Sequence, residues 1–311
     1  MREFALLQHI YQANPRLARR VVLPPGDDFG GVRVSRDVVL AGVDQLVDGR
    51  HFRLKATPLA LIGRKAITRC LSDAAAMACR PIATLVAATL PPNFGERRAS
   101  SLFDAMRATC EHYQSPLIGG DIAFHARHSH PLVISTTVLA EPIGRRAITR
   151  GGARPGDGVY VTGRLGGSLL RSGLGRHLTF QPRIREAASL LQRCGERNLH
   201  AMIDISDGLG RDASHIAEMS NVQIVLDATV IPCNRTSDWR DALHDGEDYE
   251  LLFTAAGTVP SRLADVKVTR IGEVCRRRPR DSRLVIVKHN GQTLTADDLG
   301  WEHRSKSRRS R

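Results

Sequence analysis

The stretch Met202-Ile203-Asp204-Ile205-Ser206-Asp207-Gly208-Leu209 constrains the chain more than any other. Ile203 and Ile205 alternate with Asp204 and Ser206, the period of a strand. Asp207-Gly208 breaks that period, and Leu209, Ala213, Ile216 and Ala217 then recur at helical spacing. A strand, a corner and a helix are therefore expected here, with two carboxylates and a hydroxyl at the corner. Hard oxygen donors at such a place suit Mg²⁺, which keeps several waters and binds nucleotide phosphates together with protein. The competing reading is an aspartate that caps the helix.

The rest of the chain has room for two domains: 311 residues, 42% hydrophobic and 25% charged, at globular averages. No apolar run approaches the roughly 18 residues of a membrane span, and Met1-Arg2-Glu3-Phe4 opens an amphipathic segment rather than a secretion signal. Cysteines 70, 79, 110, 194, 233 and 275 form no CxxC pair, which points to reduced thiols and a cytoplasmic protein. The formal charge of +13 favours anionic partners, but five of the cations lie in the acid-free run 303–311, read as a disordered basic tail. Aromatic residues make up only 5%, which argues against base stacking and so against a single-stranded nucleic-acid partner.

Along the chain, helices are expected over 3–20, 58–79, 95–113 and 183–194. Strands are expected over 37–43, 82–90, 132–140, 222–227 and 284–289. The Pro- and Gly-rich run 23–31 and Ile118-Gly119-Gly120-Asp121 read as turns. No repeat is evident, and the irregular mixture of elements indicates an α+β class with mixed sheets. Domains are expected over 1–143 and 144–302.

Six aspartates recur beside glycine or at expected element ends: Asp28, Asp44, Asp73, Asp121, Asp204 and Asp207. Carboxylates gathered in one cleft repel each other unless cations neutralise them, the logic of a multi-metal phosphoryl-transfer site. The common nucleotide motifs are missing: there is no GxxxxGK(S/T) and no ordered HRD and DFG pair. Gly163-Arg164-Leu165-Gly166-Gly167-Ser168 is either a phosphate loop or a tight turn. His125, His128 and His130 read as loop histidines, and Cys233 as a structural thiol, since neither has supporting partners in sequence.

Seven blocks carry a family resemblance. They are Gly26-Asp27-Asp28; Asp44 with Gly49-Arg50-His51-Phe52; Leu71 to Met77; Ile118 to Asp121; Thr149 to Asp157; Asp204 to Gly208; and Asp245 to Leu251. In this order they resemble thiamine-monophosphate kinase, of the aminoimidazole-ribonucleotide-synthetase-like superfamily. The resemblance implies the two-domain fold of that superfamily and a homodimer built through the N-terminal domains. It implies phosphorylation of thiamine monophosphate by ATP, giving thiamine diphosphate by direct in-line transfer, with several Mg²⁺ ions. Carried over by position, Asp28, Asp44, Asp73, Asp121, Asp204 and Asp207 would hold magnesium. Gly120, Asp121, Arg150, Ser206 and Tyr113 would contact ATP, and His51, Glu247 and Trp301 the thiamine phosphate.

Three departures stand out. Gly42-Val43 replaces a Ser-Thr pair, Arg50 replaces Asn, and Ile122-Ala123 replaces a Thr pair. The carboxylates are retained, so an active enzyme with an altered metal shell is expected. The alternatives are a weakened paralogue or another ATP-dependent synthetase or maturation enzyme of the superfamily. Selenophosphate synthetase fits poorly, because no cysteine precedes residue 70.

Overall fold

The computed structural model describes residues 20–23, 31–35, 37–278, 281–297 and 299–301. The expected helix over 3–20, Asp28 and the tail 303–311 lie outside them. The chain forms two compact units, Met1–Thr149 with Leu169–Glu196, and Arg150–Ser168 with Arg197–Arg311. The division into 1–143 and 144–302 expected from sequence does not include the return of 169–196 to the first unit.

In the first unit, β1 (Val21–Leu23) and β2 (Gly31–Val32) pair with each other. A four-stranded sheet has the order β3-β6-β4-β5, built from β3 (Leu40–Val47), β4 (Cys79–Leu90), β5 (Leu117–Phe124) and β6 (Val133–Pro142). Only its β4–β5 pair is parallel. Helices α1 (Leu59–Ala76) and α2 (Glu96–His112) complete the core, where Ile62, Ile67 and Leu71 of α1 and Leu102 and Met106 of α2 join Val86 and Ile134 of the sheet. Helix α3 (Ile184–Cys194) also belongs to this unit.

The strand β6 carries a buried acid. Glu141 is 1% exposed and accepts from the Ser35 backbone N–H at 2.5 Å, the Ser35 hydroxyl at 2.7 Å and Arg80 at 3.0 Å. Burial pushes its carboxyl up, but these donors outweigh burial and hold it at about 2. The folded value lies below the unfolded one, so this clasp stabilises the fold above about pH 4.3, and the contribution is lost as pH falls toward the folded value. Melting temperatures of Glu141→Gln followed across that acid range should therefore fall less steeply with pH than those of the parent chain.

The second unit is built on an eight-stranded sheet. Its path runs β14-β13-β9-β12-β7-β10-β8, with a further strand on β12. The strands are β7 (Gly158–Thr162), β8 (Leu199–Asp204), β9 (Val222–Asp227), β10 (Leu251–Ala255), β11 (Arg262–Leu263), β12 (Val266–Arg276), β13 (Val285–His289) and β14 (Gln292–Thr295). All pairs are antiparallel except β13 with β9. Helix α4 (Leu209–Ser220) lays Leu209, Ala213, Ile216 and Ala217 into a core with Ile203, Leu226 and Val285, and α5 (Trp239–His244) adds Ala242 and Leu243. Both units thus combine helices with sheets of mixed direction, the α+β class read from the sequence.

Candidate active site

The organising stretch forms the expected corner. β8 ends at Asp204, 3% exposed, and α4 begins at Leu209. Asp207 does not cap the helix: the residue before α4 is Gly208, and no side chain caps it there. A residue not singled out in the sequence holds the corner instead. Asp212 is 2% exposed, and its Oδ2 accepts from the backbone N–H groups of Ser206 (3.0 Å), Asp207 (3.1 Å) and Gly208 (3.2 Å). Burial, then the charges of Asp204 and Asp207, push the Asp212 carboxyl well above the usual range, and the N–H donors only partly offset this. The helix start is tied down from within its own first turn, which frees the Asp207 side chain from that task.

The loop after α5 is stitched to the same corner. Glu247 N–H donates to Ser206 O at 2.7 Å, Tyr249 N–H to Ile205 O at 2.8 Å, and Ile205 N–H to Glu250 O at 2.8 Å. Glu247 and Tyr249 accept left-handed backbone angles (φ 54° and 53°) to make these bonds, a conformation uncommon for residues other than glycine. From the far end of the chain, Trp301 N–H donates to Asp207 O at 2.8 Å. His215, one helical turn beyond Arg211, is pushed down by burial and then by the Arg150 charge, with Asp207 opposing. The structure therefore brings Asp204, Ser206, Asp207, Arg150, Glu247 and Trp301 into one neighbourhood. Asp207, Asp212 and His215 each present a ligand atom, all within 4.8 Å of one another.

The glycine-rich loop resolves as a braced turn. Gly166 N–H donates to Asp248 at 2.8 Å, Gly167 N–H to Asp245 at 3.0 Å, and the Ser168 hydroxyl to Asp248. These donors serve carboxylates of their own unit rather than cradling a phosphate. Asp245 and Asp248 were not evident from sequence as braces, because their partners lie about 80 residues away.

In the first unit, Asp44 and Asp121 both sit inside strands rather than at the expected element ends, Asp44 within β3 and Asp121 within β5. Gly119 and Gly120 lie within β5 rather than in a turn, and Gly120 has a packing reason: a Cβ there would lie 1.9 Å from Val86 O of the neighbouring strand. Asp44, Thr136, Val86 and Gly120 form one cross-strand row, and Gln45, Ser135, Ala87 and Asp121 the next. Adjacent rows point to opposite faces. Asp44 therefore faces the helices, where it pairs with Arg69 at 3.1 Å, while exposed Asp121 faces away. Asp73 of α1 joins Asp44 in one neighbourhood: after burial, the charges of Asp73 and then Asp44 push the Cys70 thiol up. Tyr113, at the end of α2, hydrogen-bonds Arg64; burial pushes its phenol up, with Arg64 opposing. His51 lies in the turn after β3, its Nδ1 accepting from Val47 N–H at 2.9 Å.

The chain itself has counterparts among known proteins. The model of the AIR synthase related protein, N-terminal domain, matches residues 26–141. A thiamine-monophosphate kinase from Rhodopirellula baltica is 35% identical over 249 residues, 76% of this chain and 75% of that protein. The crystal structure of thiamine-monophosphate kinase from Stenotrophomonas maltophilia superposes with a TM-score of 0.74 at 29% identity, covering 94% of this chain and 98% of that one. AaThiL complexed with AMPPCP and TMP superposes with a TM-score of 0.72 at 27% identity, covering 98% and 99%. With identity of this level sustained over three quarters of both proteins, the chain belongs to the thiamine-monophosphate kinase family.

Proposed function

We infer that this protein phosphorylates thiamine monophosphate with ATP, giving thiamine diphosphate and ADP. A terminal phosphate oxygen of thiamine monophosphate attacks the γ-phosphorus in line as the bond to the β–γ bridging oxygen breaks, and ADP leaves. One observation carries the reading beyond family membership: the Asp204–Asp207 corner holds its carboxylates beside Arg150 and Glu247 without spending Asp207 on the helix. In the second unit Arg150 would supply positive charge for ATP phosphates beside Ser206; in the first, Gly120 and Tyr113 would be the nucleotide contacts. His51, Glu247 and Trp301 receive the thiamine phosphate.

The donor set fits magnesium. It is dominated by carboxylate oxygen, and the charges of Asp204 and Asp207, which add to burial in pushing the Asp212 carboxyl up, are a repulsion that a divalent cation at this corner would relieve. Asp204 and Asp207 would hold Mg²⁺ in the second unit, and Asp28, Asp44 and Asp73 in the first; Asp121, on the opposite face of its sheet from Asp44, would stand apart from that set. Bound there, the ion supplies neutralisation of phosphate charge. Turnover is expected to require Mg²⁺ and to stop in excess chelator; full turnover under chelator would overturn the assignment.

The homodimer belongs to the same reading. Support comes from the outer face of the first unit's sheet, where Ala41, Gln45 and Ala87 are exposed and Val43 is 65% exposed. Sedimentation should give twice the chain mass, and Val43→Glu should shift it toward the monomer. Among the described residues, no helix is long and apolar enough to cross a membrane.

A further inference from the structure

Helix α1 carries two consecutive cations, Arg64 and Lys65, that bond to main-chain carbonyls. Lys65 is fully buried, at 0% exposure, and so is His177. The Lys65 amino group donates to the backbone carbonyl of His51 at 2.9 Å and meets His177 Nδ1 at 2.6 Å. His177 Nε2 lies 3.3 Å from the carbonyl of Gly173, which can only accept. The imidazole proton therefore sits on Nε2, and Nδ1 accepts from Lys65. Arg64, the preceding residue, donates to the carbonyls of Leu178 (3.3 Å) and Phe180.

These bonds tie two separate segments to one helix. The turn after β3 and the segment 169–173 are also the two walls of a cavity of about 310 Å³, lined by Arg50, His51, Arg53, Leu169, Leu170 and Arg171 among others. Three guanidinium groups and an imidazole beside two leucines suit a phosphate monoester with an apolar body. Neither wall is a regular element; each is a turn with bonds of its own, and Lys65 and His177 add a tie from one to the other.

We propose that Lys65 and His177 are positioning residues for the phosphate-bearing acceptor, a single buried strut that sets both walls of this cavity. The proposal rests on the reading of His51 as an acceptor contact. Lys65 touches no reacting atom in this account; it fixes the His51 main chain and, through His177, the opposite wall. Loss of the strut should then weaken acceptor binding while leaving ATP binding alone, because a misplaced positioning group costs binding and orientation even when the chemistry is intact.

The test uses the full chain with Lys65→Met, His177→Leu and His177→Gln. Glutamine can accept from Lys65 through its carbonyl and donate to Gly173 through its amide, so it should preserve the strut. Lys65→Met and His177→Leu should each raise KM for thiamine monophosphate by about tenfold or more, with KM for ATP within about twofold of the parent. His177→Gln should restore most of the acceptor affinity. Backbone hydrogen exchange without substrate should quicken in both 49–53 and 169–173 in the first two variants and in neither for His177→Gln.

An unchanged acceptor KM in His177→Leu, or a rise in KM for ATP of equal size, would overturn the proposal. If Lys65→Met does not fold, the His177 pair decides alone. If the parent chain does not phosphorylate thiamine monophosphate, the reading of the acceptor fails, and exchange still tests the strut. Quickening confined to 169–173 would then show that the two walls are not joined through Lys65.

Discussion

Asp207→Asn is expected to lower turnover by about 100-fold or more, in line with removal of one preorganised electrostatic stabiliser, and to leave the ligand-free fold as stable as before or slightly more so. The substitution keeps the side-chain shape and removes one negative charge. Without that charge, the phosphates lose part of their neutralisation, most acutely in the transition state. The backbone at this position is held by other groups: Asp207 N–H donates to Asp212, and Asp207 O accepts from Trp301 N–H. Neither bond involves the substituted atoms. Asp207 is also one of the charges that push the Asp212 carboxyl up, so removing it relieves a repulsion. Melting temperature without ligand, measured beside turnover, separates this from a helix-capping role. A cap would show a loss of about 1 kcal/mol in stability and little change in rate.

Asp212→Ala should do the opposite first: destabilise the fold by about 3 kcal/mol. The carboxylate accepts from three successive N–H groups at the corner, and an alanine side chain offers them no acceptor. Orphaned buried donors cost about 1–3 kcal/mol each, reduced here because Ser206 and Asp207 are only half-buried. Asp212→Asn retains an oxygen acceptor and sheds a repelling charge, so most of the stability should return. Denaturant unfolding of the two variants checks this; equal destabilisation by alanine and asparagine would show that charge, not acceptance of N–H bonds, is what Asp212 supplies. Turnover in Asp212→Ala should also drop, because Ser206 and Asp207 lose the frame that aims them.

The contrast between these two aspartates shows what the sequence makes legible. The switch from period two to helical period around Asp207-Gly208 is a local signal, and strand, corner and helix follow where it places them. Asp212 is invisible to the same reading, since an acid in the first turn of an amphipathic helix looks like any exposed polar residue. Its role exists only because the chain before the helix folds back over it. Gly119-Gly120 misleads in the other direction. Paired glycines beside an aspartate read as a turn, but here they lie mid-strand, and at Gly120 the neighbouring strand's Val86 carbonyl leaves no room for a Cβ.

Chain continuity hides the rest. Contiguous domains are the simplest division of a sequence, and nothing local in 169–196 signals that it belongs with the first unit. Its ties to that unit include Arg64 and Lys65 in α1, more than 110 residues earlier. A buried lysine is illegible for the same reason: in sequence, Arg64-Lys65 is simply a charged pair on a helix. The braces of the glycine-rich loop, Asp245 and Asp248, are likewise settled only by three-dimensional proximity.

The measurement that bears most directly on the account is to incubate the purified chain with Mg²⁺, thiamine monophosphate and ATP labelled at the γ-phosphate, and to follow the label. Label should appear in thiamine diphosphate, one equivalent per ADP formed, and Asp207→Asn should nearly abolish its appearance. Label released only as inorganic phosphate, retained on the protein, or left in ATP while the chain is folded would contradict the account.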